Sequence, residues 1–178
     1  MKKTIRLFAA IVMIAGLTTT AMAQVTLTGN TAGAELVTAL TLTNTTPLHF
    51  GVIAIPSTAG SVKMSTAGLR TPTGCTIVTT GTQKTVAKFD LTGTAGATYS
   101  FTLPASITVT KVSSTETMTI DNLVVKVDGA SEVAYGSIGT CTLTSGASSV
   151  LVGGKLNIGA SQALGVYTGT YTVIVDYI

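Results

Sequence analysis

Gly165-Val-Tyr-Thr-Gly-Thr-Tyr-Thr-Val-Ile-Val-Asp-Tyr-Ile178 decides the fold of this chain. Tyr171, Val173, Val175 and Tyr177 fall on one side of an extended backbone. Thr170, Thr172 and Asp176 fall on the other, where Ile174 is the apolar exception. Period-two alternation of β-branched and aromatic residues is the pattern of a half-buried strand, because successive side chains of a strand point to opposite faces. A glycine opens the strand and a tyrosine stands next to its last residue. The spacing predicts a strand over 166–178 with an inward row of Tyr171, Val173, Val175 and Tyr177.

Working back from that strand, residues 24–164 hold no helix-length run with a 3.6-residue apolar stripe. Short alternating runs are separated by Gly, Pro, Ser and Asn. Leu36 to Thr43 alternates imperfectly and stops at Asn44-Thr45-Thr46-Pro47. Ala87, Phe89 and Leu91 share a face before Gly93-Thr-Ala-Gly96 turns the chain, and Tyr99, Phe101 and Leu103 form the next inward set. Pro104-Ala105-Ser106 then predicts a hairpin into Ile107 and Val109. Met118 and Ile120 lie in one register and Leu123, Val125 and Val127 in the opposite one, so Asp121-Asn122 marks either a bulge within a strand or a turn between two. Val150-Leu151-Val152 and Leu156 with Ile158 flank Gly153-Gly154. Roughly eight to ten strands at this spacing predict one all-β domain, a sandwich of immunoglobulin-like character.

The other end of the sequence reads differently. Lys2, Lys3 and Arg6 precede an apolar run from Leu7 to Leu17, too short to span a bilayer, and Ala21-Met22-Ala23 supplies small residues for cleavage. Residues 1–23 are therefore read as a secretory signal peptide removed before Gln24. Export leaves a chain of neutral formal charge. Three of the ten Lys and Arg residues and none of the seven acids belong to the signal, so seven cations face seven acids afterwards. Nothing in that balance suggests nucleic acid as a partner. Scarce charge with abundant Thr and Gly favours strands whose wet faces are covered by threonine. Cys75 and Cys141 are the only cysteines, and export makes a disulfide between them the expectation. Such a bridge contributes about 4 kcal/mol in the chain-entropy description.

Between the signal and the domain lies Gln24-Val-Thr-Leu-Thr-Gly-Asn-Thr-Ala-Gly-Ala34. Val25, Leu27 and Gly29 alternate with threonines, and two glycines and an asparagine weaken the segment as an independent strand. One reading is a frayed terminus or edge strand. The other is a donor strand that completes the sheet of another molecule. The domain proper is then 35–178.

Three groups of residues, in order, carry a family resemblance: Leu48-His49-Phe50-Gly51-Val52-Ile53, Val152-Gly153-Gly154-Lys155-Leu156-Asn157-Ile158, and Gly165-Val-Tyr-Thr-Gly-Thr-Tyr-Thr-Val173. With Phe89-x-Leu-Thr-Gly93 and Tyr99-x-Phe-x-Leu-Pro104 between them, the chain resembles the DUF4402 domain family and is similar to spore-coat-U-like and archaic chaperone–usher pilins. The resemblance implies an incomplete immunoglobulin-like sandwich, secretion through the periplasm to the cell surface, and polymerisation into a fimbria by donor-strand exchange. It implies as partners further pilin subunits joined head to tail, a periplasmic chaperone and an outer-membrane usher, and a host or surface ligand. In that scheme Val25, Leu27 and Gly29 are the donor residues. Gly165, Tyr171, Val173, Val175 and Tyr177 border the acceptor groove where the chaperone docks. The physics is β-augmentation, in which main-chain hydrogen bonds give affinity and alternate side chains give register. The alternative is a self-complemented monomeric surface adhesin.

An enzyme is not expected. His49, the only histidine, has no nucleophile or acid beside it in sequence. Asp121, Asp128 and Glu132 are too dispersed for a calcium loop, and two distant cysteines with one histidine do not make a zinc site. No metal or other cofactor is expected.

Overall fold

A computed structural model describes Thr28, Gly29, 31–55 and 57–178. The signal-peptide reading of 1–23 lies outside the described residues. The chain divides into two compact units, Met1–Glu35 and Leu36–Ile178. In the first, Thr28, Gly29 and 31–35 are exposed and belong to no strand.

The second unit is an all-β sandwich. Its strands are β1 (Thr41–Thr46), β2 (Val52–Ala54), β3 (Gly60–Met64), β4 (Arg70–Thr73), β5 (Thr76–Val78), β6 (Ala87–Thr92) and β7 (Thr98–Thr102). They continue as β8 (Ile107–Lys111), β9 (Thr117–Val127), β10 (Val133–Ala134), β11 (Cys141–Thr142), β12 (Ala147–Ile158), β13 (Tyr167–Thr168) and β14 (Ile174–Tyr177). One curled antiparallel sheet runs β1-β6-β12-β9-β8-β13, with β3 and β4 added beside β12 and β10 beside β9. A three-stranded sheet, β11-β7-β14, covers its inner face, and β2 pairs β5 separately. Tyr99 and Phe101 from the small sheet meet Phe89, Leu91, Val150 and Val152 from the large one in a single core. Phe89 and Phe101 pack edge to face with centroids 5.8 Å apart, the arrangement their ring quadrupoles favour. The one buried tyrosine hydroxyl in this layer is satisfied: Tyr99 Oη lies 2.5 Å from Ser148 Oγ, which donates to Asp128 at 2.7 Å.

β12 is the organising strand. Its first half pairs with β6 and its second half with β3, while β9 runs along its other edge. The change of neighbour falls at Gly153-Gly154, where a Cβ on Gly153 would run into Met64 O and one on Gly154 would lie 2.9 Å from Leu123 Cδ2. Opposite, the ladder slips between Gly153 and Lys155, and Asn122 sits at φ 45°. The Asp121-Asn122 signal is thus a bulge inside one long strand, β9, and not a turn between two.

Two strand expectations are corrected. The alternation from Leu36 to Thr43 enters the sheet only at Thr41, leaving Leu36 and Val37 exposed. Pro104-Ala105-Ser106 does not make a hairpin: β7 belongs to the small sheet, whereas β8 pairs β9 and β13. The chain crosses between layers here, and Leu103 N donates to Tyr135 Oη at 2.7 Å instead of entering a ladder. The hairpin partner of β8 is β9, reached through a turn closed by Lys111 N to Glu116 O at 2.8 Å.

Candidate functional site: an open edge beside the C-terminal strand

The C-terminal segment serves both layers. Tyr167 and Thr168 pair with β8 in the large sheet, and Ile174 to Tyr177 pair with β7 in the small one. Residues 169–173 between them belong to no strand. Among the described residues β14 pairs with β7 alone, and β1, at the edge of the large sheet, with β6 alone. No ladder among the described residues joins these two edges, which leaves that side of the sandwich open there.

The side chains lining that side follow the predicted alternation. Tyr171, Val173, Val175 and Tyr177 are turned inward and half-buried, while Thr172, Ile174, Asp176 and Ile178 are exposed. All four inward residues pack on the core, together with Leu40 and Leu42 from the opposite edge. In a completed sheet such a row is covered on both flanks; here each member stops at partial burial. Tyr171 packs edge to face on Phe89 with centroids 6.4 Å apart. Its buried hydroxyl has no hydrogen-bond partner among the described residues, and desolvation raises its pKa above the usual phenol value.

One end of the opening is tied shut. Tyr177 Oη accepts from Thr94 N at 2.8 Å and donates to Thr38 O at 2.8 Å. This ring fits because residue 93 is glycine: a Cβ there would collide with Tyr177 Oη and lie 2.8 Å from Leu143 Cδ1. Thr38 N in turn donates to Thr94 Oγ1 at 2.8 Å. A separate cleft of about 350 Å³ lies between 48–55 and 162–167, floored by Val109, Met118, Ile120, Leu156 and Ile158. Both walls are braced. Arg70 donates to Phe50 O at 2.8 Å, and His49 Nδ1 accepts from Gly51 N at 2.8 Å. Gln162 donates to Tyr167 Oη at 2.8 Å and to Thr117 O at 3.3 Å, while Tyr167 donates to Ala163 O at 2.8 Å. Gly165 lines this cleft at φ 153°, a conformation that L side chains rarely adopt.

Of the expected site residues, Tyr171, Val173, Val175 and Tyr177 face the core from the C-terminal segment, while Gly165 lines the cleft between 48–55 and 162–167. Val25 and Leu27 lie outside the described residues. Gly29 is exposed at φ 85°, with open space around the position of a Cβ. The expected disulfide is not formed: Cys75 and Cys141 are free thiols. Cys75 stands between β4 and β5 with its thiol 3.3 Å from Ser61 O. Cys141 lies on β11 opposite Tyr99, with its thiol 3.7 Å from Gly139 O. Cys75 thus lies on a connection and Cys141 on a two-residue strand, and burial raises the Cys141 pKa. The three acids weighed as calcium ligands are engaged separately, Asp121 near Lys155, Asp128 by Ser148 and Ser149, and Glu132 by Thr66. Thr38, Gly93 and Thr94, which seat Tyr177, were not anticipated, and only the glycine in Phe89-x-Leu-Thr-Gly93 hinted at a close approach.

Fold and site together define a β-sandwich domain with an open, apolar edge between its first and last strands. Residues 40–177 match the family described as a domain of unknown function, DUF4402, and the chain belongs to that family. No curated protein matches the chain.

Proposed function

We propose that the chain is a non-enzymatic structural subunit of an extracellular fimbria, exported through the periplasm and polymerised by donor-strand exchange. Segment 24–34 of one copy fills the open edge of the next, with Val25 and Leu27 turned inward and Gly29 where the space is tight. The observation that carries this reading is the inward row Tyr171, Val173, Val175 and Tyr177, half-buried along β14, which has one neighbour among the described residues, and along the unpaired stretch before it. An added strand gives that row its missing cover, offers the Tyr171 hydroxyl a main-chain acceptor, and pairs the free edge of β14. An edge of this kind invites aggregation when bare. The reading therefore includes a periplasmic chaperone that occupies it before assembly and an usher that exchanges the two. The contact is head to tail and does not close, so it generates a filament.

The test is electrophoretic. The exported form is expected to run as a heat-sensitive ladder on unboiled gels, and removal of 24–34 to leave a chaperone-bound monomer. A truncated protein that still gives the same ladder rules out donor-strand exchange. A full-length protein that stays monomeric without a chaperone supports the self-complemented adhesin instead.

A further inference from the structure

The large sheet has a second face, turned away from the core, and its charges are unevenly used. Arg70, Lys84 and Lys111 are consumed by local bonds, to Phe50 O, Gly68 O and Glu116. The other four cations of 24–178, Lys63, Lys88, Lys126 and Lys155, all project from this outer face of β3, β6, β9 and β12. Lys63 stands directly across from Lys155, and Lys88 and Lys126 stand on either side of Leu151. Lys88 is paired with Asp90 at 3.0 Å and Lys155 with Asp121 at 3.6 Å. Lys63 and Lys126 have no ion pair or side-chain hydrogen bond among the described residues.

A cross-strand pair of like charges is destabilising, since the two Cβ atoms lie only about 5 Å apart. Asp121 holds Lys155 from the other side of β12, so the cation open to an incoming anion is Lys63, with Lys155 beside it to reinforce the attraction. The next row on the same face is Ser61–Asn157–Thr119, uncharged hydroxyl and amide groups suited to sugar hydroxyls. No aromatic side chain stands among these rows to stack a base, as single-stranded nucleic-acid binders require. We propose that this outer face, centred on Lys63 and Lys155, binds an acidic polysaccharide through its carboxylate or sulfate groups. The site is independent of the open edge. In a filament it would recur on every subunit, so weak single contacts would sum to useful avidity.

Binding of the purified protein to heparin and to polygalacturonate, with dextran as the neutral control, tests this at low and rising salt. Retention on at least one acidic polymer, lost as salt is raised, is expected. Lys63→Gln is expected to weaken binding at least tenfold, with a urea midpoint equal to or above that of the wild type because the Lys63–Lys155 repulsion is gone. Lys155→Gln is expected to weaken it similarly, and Lys111→Gln, away from this face, to leave it unchanged. The urea midpoint reports whether each variant is folded. The proposal fails if neither polymer is retained at low salt, or if Lys63→Gln binds as wild type does. It fails equally if duplex DNA binds as tightly as the polysaccharides and loses binding with the same substitutions.

Discussion

Two inward-facing tyrosines of the C-terminal segment make opposite predictions. Tyr177 Oη both accepts and donates, from Thr94 N and to Thr38 O. Tyr177→Phe leaves the part-buried Thr94 amide without its partner and frees the exposed Thr38 carbonyl, and is expected to cost about 1–2 kcal/mol, read as a lowered urea midpoint. The buried hydroxyl of Tyr171 has no partner among the described residues, so Tyr171→Phe is expected to be neutral or slightly stabilising in the isolated subunit. A loss above about 1 kcal/mol would show an unrecognised bond there. Tyr99 adds a pH signature. Burial is the main cause raising its pKa above the ordinary 10.0, so above that pH the unfolded chain ionises while the folded one keeps its proton. The stability held below pH 10 is then lost as pH rises, and Tyr99→Phe is expected to flatten the fall in melting temperature between pH 10 and 11.5.

At the scale of elements, the central strands and the C-terminal edge answer differently to substitution. At Gly153 a Cβ meets Met64 O, a backbone atom that cannot swing aside. Gly153→Ala is therefore expected to destabilise by about 2 kcal/mol or more, through strain at the point where β12 changes neighbours. Val152 is fully buried, whereas Val175 is half-buried on an edge. Val152→Ala is expected to cost the subunit about 2 kcal/mol and Val175→Ala less than half as much, with the ranking checked by urea unfolding. Strand existence was legible in sequence where alternation was clean, as in Ala87 to Leu91 and Tyr99 to Phe101, whereas the strand expected over 166–178 pairs only at 167–168 and 174–177. The register switch at Asp121-Asn122 was legible too, because a bulge reverses the pattern of inward residues. What escaped were partnerships. Pro104-Ala105-Ser106 has the composition of a turn whether the chain folds back on itself or crosses to the other sheet, and local composition does not record the difference. The division of the last strand into β13 and β14 was hidden for the same reason, since alternation persists through 169–173 without a ladder. The cysteines failed differently: their number and the expected export argued for a bridge, but neither speaks to whether the fold brings the two thiols together.

Among the described residues the sandwich has several strands with one neighbour, β4, β10, β11 and β13 as well as β1 and β14, and the inward row lies on the side of β1 and β14. Tyr177 ties that side to Thr38, and a separate braced cleft lies between 48–55 and 162–167. The inward-facing row of the acceptor side was readable from alternation in the C-terminal strand. The opposing wall of Leu40, Leu42 and 48–55 emerged only with the topology, which sets the first strand beside the last. The central claim is that this opening receives segment 24–34 of another copy. Its most direct test is cross-linking between two differently tagged copies in which Cys75 and Cys141 have been replaced by Ser, one carrying Val25→Cys or Leu27→Cys and the other Val173→Cys or Val175→Cys. Disulfides joining the two tags at one donor–acceptor pairing, in a ladder that persists without heating, are the predicted result. Disulfides at none of the four pairings, in protein shown to be polymeric, would contradict the account.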